Sequence, residues 1–119
     1  MKKSGIHIIA NFYNCKNAGL LIDKSLLSEL MIKSIEENSM NILDSSFHKF
    51  DEGGITGYVL LSESHVAIHT WPERDNYLTL DIFVCNYGKD NTESARKIYA
   101  ELKEKFLPGK TDENFIERD

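Results

Sequence analysis

The run Tyr77–Cys85 constrains the fold more than any other part of the chain, because it alternates without a break between two kinds of side chain. Leu78, Leu80, Ile82 and Val84 fall on one side, and Tyr77, Thr79, Asp81, Phe83 and Cys85 on the other. A period of two puts successive side chains on opposite faces of a strand. One face is therefore aliphatic and needs a layer packed on it. The other carries a carboxylate and a thiol beside aromatic rings. It is polar enough for a site and apolar enough to need a cover of its own.

Helices supply the first layer. Between Asp23 and Asn38, the residues Leu26, Leu27, Leu30, Met31 and Ile35 recur at the three-and-four spacing of a helix with one buried stripe. A second helix is predicted from about Asn91 to Phe106, with Ala95, Ile98, Tyr99, Leu102 and Phe106 on one face. Asp90 or Asn91 can cap its start, and Leu107-Pro108-Gly109 stops it. Strand-like runs occupy 6–13, 40–47, 55–62, 65–70 and 77–84. No repeat or linker divides the chain. The expectation is a single domain over 1–119 of α+β class: a two-layer α/β sandwich whose mainly antiparallel sheet carries two helices on one face.

Composition narrows the function. With 119 residues, 41% hydrophobic and 28% charged, the chain has the balance of one globular core. A net charge of −5 with no basic block argues against a nucleic-acid partner. No apolar stretch approaches the roughly 20 residues of a membrane span. The start Met1-Lys2-Lys3-Ser4 leads into too short and interrupted an apolar run for a signal peptide, so a cytoplasmic protein is expected, with no membrane partner. In that compartment Cys15 and Cys85 read as free thiols.

Chemistry concentrates in Ser62–Glu73, which holds two serines, two histidines and two glutamates. A metal site is one reading, since His65 and His69 are four apart, but on a strand they would stand about 13 Å apart at roughly 3.3 Å per residue, too far to share an ion. A serine hydrolase is another, with Ser64 as nucleophile, although no Gly-x-Ser-x-Gly turn surrounds it. Taken residue by residue, the segment reads first as an ordinary edge strand whose histidines and serines are solvated.

The string Glu63-Ser64-His65-Val66-Ala67-Ile68-His69-Thr70-Trp71-Pro72-Glu73 resembles the signature of the small prokaryotic S-adenosylmethionine decarboxylases, a pyruvoyl-dependent family. The resemblance extends in order through Gly5-Ile6-His7, Phe12-Tyr13-Asn14-Cys15, Phe47-His48-Lys49-Phe50, Gly54-Ile55-Thr56-Gly57 and Asp81-Ile82-Phe83-Val84-Cys85. It implies a proenzyme that cuts itself between Glu63 and Ser64 into a β chain of 1–63 and an α chain of 64–119. The Ser64 hydroxyl would attack the Glu63 carbonyl, and the resulting ester would be lost by β-elimination. Hydrolysis would leave a pyruvoyl group at position 64, with no external cofactor or metal.

The resemblance also implies roles. The pyruvoyl from Ser64 forms a Schiff base with the substrate amine, and Cys85 returns a proton to the substrate carbon. His69 serves processing as an acid or base, and Thr56 falls where many members have a serine that assists cleavage. Glu73 corresponds to a ribose-binding glutamate and Phe50 to an aromatic residue near the adenine. The implied product supplies the aminopropyl donor for spermidine synthesis. The implied assembly is a homodimer packed through the sheets, with sites between protomers.

Two loops depart from the family pattern, Asp51-Glu52-Gly53 and Arg74-Asp75-Asn76-Tyr77. Their carboxylates keep decarboxylation of arginine or ornithine as an alternative, and a non-enzymatic dimeric binding protein is a second. Strand parity adds one expectation. Ser64 and His69 are an odd number apart, so on an unbroken strand they would point to opposite faces. The chain must break or turn near Ser64, which would expose the Glu63 carbonyl and let His69 reach the Ser64 region.

Overall fold

Six strands form one sheet in the computed structural model, which describes residues 4–86 and 88–119. The start Met1–Lys3, read above for a leader, lies outside the described residues. In chain order the elements are β1 (Gly5–Tyr13), α1 (Gly19–Ile22), α2 (Lys24–Glu37), β2 (Ile42–Lys49), β3 (Ile55–Leu61), β4 (Ser64–Trp71), β5 (Tyr77–Cys85), α3 (Thr92–Phe106) and β6 (Lys110–Arg118). The spatial order is β2-β3-β4-β5-β1-β6, and every neighbouring pair is antiparallel.

The alternation in β5 divides the faces as the sequence requires. Leu78, Leu80, Ile82 and Val84 are buried, together with Ile6, Ile8, Ala10 and Phe12 of β1 and Val66 and Ile68 of β4. Against them pack Leu27, Met31 and Ile35 of α2 and Ala95, Ile98, Leu102 and Phe106 of α3. The helix boundaries have the expected chemistry. Asp23 Oδ1 accepts from the Leu26 N–H at 3.0 Å, and Asp90 Oδ1 accepts from the Thr92 N–H at 2.9 Å. At the far end of α3, Leu107 closes the helix in a left-handed conformation, φ +52°.

Two elements go beyond the sequence reading. The helix α1 is a single turn, too short to show a period, yet it delivers Leu21 fully into the core. The strand β6 pairs with β1 along its whole length from the tail that had shown no pattern. It is an edge strand, and charged side chains there discourage pairing with a further chain. Those charges also erase the alternation that would have revealed it. Among the described residues, no helix is long and apolar enough to cross a membrane.

Candidate active site

The hairpin between β3 and β4 builds one half of the site. Leu61 pairs with Ser64, so Ser62 and Glu63 alone make the turn, and the chain re-enters the sheet at Ser64. Parity had required a break here, and the backbone supplies it: Ser64 has φ +146°. Few non-glycine residues adopt this region, and holding one there costs about 1–3 kcal/mol. On the β5 side, the Cys85 N–H donates to the Glu63 carbonyl oxygen at 2.8 Å. That donor draws electron density from the carbon that a Ser64 hydroxyl would attack and offers to hold an oxyanion formed there. Cys85 is fixed in turn by Asn91, whose Nδ2 donates to the Cys85 carbonyl at 3.0 Å.

The two cysteines differ as their faces do. Cys15 is buried, and burial pushes its thiol up to about 11. Cys85 is half-buried and belongs to the outer, mixed face of β5. Both are free thiols.

The other half lies at the far end of β4. Thr56 and His69 are register partners, and Thr56 Oγ1 lies 3.0 Å from His69 Nδ1. A cavity of about 330 Å³ gathers Phe50, Thr56, His69 and Glu73. It also takes in Glu52, whose carboxylate had kept a basic amino-acid substrate open, and Trp71, to which the sequence had assigned no role. The Trp71 ring lies between those of His69 and Tyr77, at 6.1 and 5.4 Å, and the guanidinium of Arg74 sits 5.7 Å from its centre. A larger cavity of about 510 Å³ lies on the helical side, between α1, α2 and α3, and holds none of these residues.

The two halves do not meet within one chain. Ser64 and His69 stand at opposite ends of β4, five residues apart, or about 16 Å at the rise of a strand. The turn at Ser64 exists, but the expectation that it would bring His69 to Ser64 fails, because β4 runs straight on in register with both neighbours.

A third group escaped the sequence reading. His7 Nε2 and His65 Nε2 both lie against Asp81 Oδ1, at 2.8 and 3.2 Å, and Arg118 Nη1 lies 3.4 Å from His7 Nδ1. A guanidinium only donates, so Nδ1 accepts and the ring proton on Nε2 goes to Asp81. Parity could have placed Asp81 and His65 on one face. The contribution of β6 was invisible.

The sequence model of the S-adenosylmethionine decarboxylase family matches residues 6–119. The chain belongs to the S-adenosylmethionine decarboxylase family. Among its relatives, an S-adenosylmethionine decarboxylase proenzyme of Clostridium botulinum (strain Loch Maree / Type A3) is 39% identical over 107 residues, covering 90% of this chain and 87% of that one. One of Carboxydothermus hydrogenoformans is 36% identical over 110 residues, covering 92% and 85%. The crystal structure of the adenosylmethionine decarboxylase from Aquifex aeolicus superposes with a TM-score of 0.87 at 28% identity, covering 99% of this chain and 92% of that one. These relatives lend nothing to the arginine, ornithine or non-enzymatic alternatives. A decarboxylase family whose members are named as proenzymes is also consistent with a pyruvoyl group.

Proposed function

We infer that the chain is a self-processing decarboxylase acting on S-adenosylmethionine, its pyruvoyl group formed from Ser64. The observation that carries this reading is the strained Ser64 backbone beside a Glu63 carbonyl already held by the Cys85 N–H. Strain at the residue after a peptide bond is released when that bond breaks, and a preorganised donor lowers the barrier to attack on its carbonyl. The Ser64 hydroxyl adds to the Glu63 carbonyl carbon, the amide becomes an ester, and the nitrogen of residue 64 is freed as an amine. Loss of the Cα proton expels the Glu63 carboxylate. Tautomerisation and hydrolysis then release ammonia and leave the keto group at position 64.

A pyruvoyl group there supplies an electrophilic carbonyl that takes up the substrate amine and accepts the electron pair released with CO₂. The chain's own residues do the rest. Cys85, on the outer face beside the former peptide, returns a proton to the carbon that has lost its carboxylate. The Thr56–His69 pair moves protons during processing, a task suited to imidazole near neutral pH. Phe50 and Glu73, sharing one cavity with that pair, receive the adenine and the ribose hydroxyls.

Because the halves lie about 16 Å apart on one strand, a second copy completes the site. The outer sheet face presents Ile9, Tyr58, Leu60 and Ile116, each between 38% and 43% exposed. Packing two such faces about a two-fold axis that lies between the sheets and across the strands reverses one set of strands. The His69 end of one copy then faces the Ser64 end of the other, at the ~10 Å spacing of stacked sheets.

Intact-mass measurement tests the reading. The purified chain should yield a fragment ending at Glu63 and one beginning with a blocked residue 64 that reacts with carbonyl reagents, and it should release CO₂ from carboxyl-labelled S-adenosylmethionine. Ser64→Ala should abolish all three. A wild-type chain that stays whole would overturn it.

A further inference from the structure

The carboxylate that leaves as CO₂ and the proton that Cys85 returns address the same carbon atom. Whatever holds the carboxylate must therefore lie close to Cys85. The register points to one residue. Gly5 pairs with Cys85 on one side and with Arg118 on the other, so Arg118, Gly5 and Cys85 form a single row across β6, β1 and β5. Two strand spacings, about 10 Å, separate the ends of that row. The next position in it is the Glu63 carbonyl, bonded to the Cys85 N–H.

The side chain of Arg118 reaches from β6 across β1 towards β5. Its guanidinium carbon lies 4.6 Å from the centre of the Phe83 ring. Phe83 shares the outer face with Cys85, two residues away. Glycine at position 5 lets that ring lie over the backbone beside Cys85. A Cβ there would come within 3.1 Å of Phe83 Cε1 and 3.2 Å of the Cys85 Cα. The guanidinium is steadied on its other side by His7 Nδ1 at 3.4 Å. Of the other cations stacked on rings among the described residues, Arg74 and Lys110 sit on Trp71 and Tyr13, at the opposite end of the strands, and Arg96 sits on Phe115.

We propose that Arg118 is the ligand of the substrate's α-carboxylate, positioning the bond that breaks. A planar guanidinium stacked on an aromatic wall presents its N–H groups edgewise, the geometry that receives a carboxylate through two parallel hydrogen bonds. The assignment rests on the decarboxylase reading above, and it predicts a particular kinetic signature. Negative charge leaves the carboxylate as CO₂ forms, so Arg118 holds the substrate at least as well as the transition state. Its loss should then appear in KM rather than in kcat.

The test compares wild type with Arg118→Gln, after mass analysis shows that each preparation cleaves itself. KM for S-adenosylmethionine should rise about 10- to 100-fold, the span of a charge-assisted pair, with kcat little changed. Calorimetry supplies a readout independent of turnover, using two thioethers of 5′-deoxyadenosine that lack the amine and cannot react. One ends in butanoate and the other in propyl. Arg118→Gln should weaken binding of the butanoate by a similar factor and leave the propyl compound unaffected, and Arg118→Lys should recover part of the loss. Equal weakening of both compounds, or of neither, overturns the assignment. Wild type that binds the butanoate but releases no CO₂ from S-adenosylmethionine refutes the decarboxylase reading instead.

Discussion

Ser64 holds a backbone conformation, φ +146°, that glycine adopts freely and a residue with a Cβ does not. If that strain is stored in the uncleaved chain, it should be measurable without any cleavage. Ser64→Ala and Ser64→Gly both lack the hydroxyl and both stay whole. Alanine keeps the penalty of about 1–3 kcal/mol, whereas glycine removes it and loses roughly 0.5–1 kcal/mol through its greater freedom when unfolded. Ser64→Gly should therefore be the more stable of the two by about 1 kcal/mol in urea denaturation. Equal stabilities would mean that the turn is relaxed and that cleavage draws nothing from it. The hydroxyl at position 64 and the need for a turn there were legible in the sequence, the second from the odd spacing to His69. The sign of φ was not, because it depends on the two-residue connection that Leu61 and Ser64 close by pairing.

At the scale of elements, Thr70 ties three of them together from inside the core. Its hydroxyl donates to the Leu21 carbonyl of α1 at 2.8 Å and accepts from the Ile55 N–H at the start of β3, also at 2.8 Å. Only 4% of the residue is exposed. Thr70→Val keeps the shape and leaves a buried donor and a buried acceptor without their partner, so stability should fall by about 2 kcal/mol. Urea denaturation in a Ser64→Ala background checks this free of processing, and a change below a few tenths would show that both groups find water. The same elements show why parts of the fold were unreadable. Periodicity found α2, α3 and β5 because each buries one face. The single turn α1 is too short to repeat, and β6 buries so little that Lys110, Asp112, Glu113 and Arg118 could take positions where an inner strand would need aliphatics. Missing β6 also hid Arg118, and with it the network that reaches Asp81 through His7.

At the scale of the molecule, the residues named from the family resemblance fall into two clusters towards opposite ends of β4: Glu63, Ser64 and Cys85 at one end, Thr56, His69, Phe50 and Glu73 at the other. Sequence order puts Ser64 and His69 in one string, and strand geometry then draws them apart, since each residue adds about 3.3 Å. A straight β4 cannot close that gap. A second sheet laid across the first, with its strands reversed, can. This arrangement makes a prediction that no single chain could satisfy. With His69 as the proposed processing group, a His69→Ala chain has an intact Ser64 but lacks that group, and a Ser64→Ala chain has the group but nothing to cleave. Each alone should remain whole. Co-expressed with different affinity tags and purified through both, the mixed dimer contains one complete site, formed by Ser64 of the first chain and His69 of the second. The His69→Ala chain should then be cut while the Ser64→Ala chain is not, and roughly half the CO₂ release of wild type should return. If the mixed dimer stays uncut, Ser64 and His69 of one chain must act together, and β4 would have to bend by far more than its unbroken register allows.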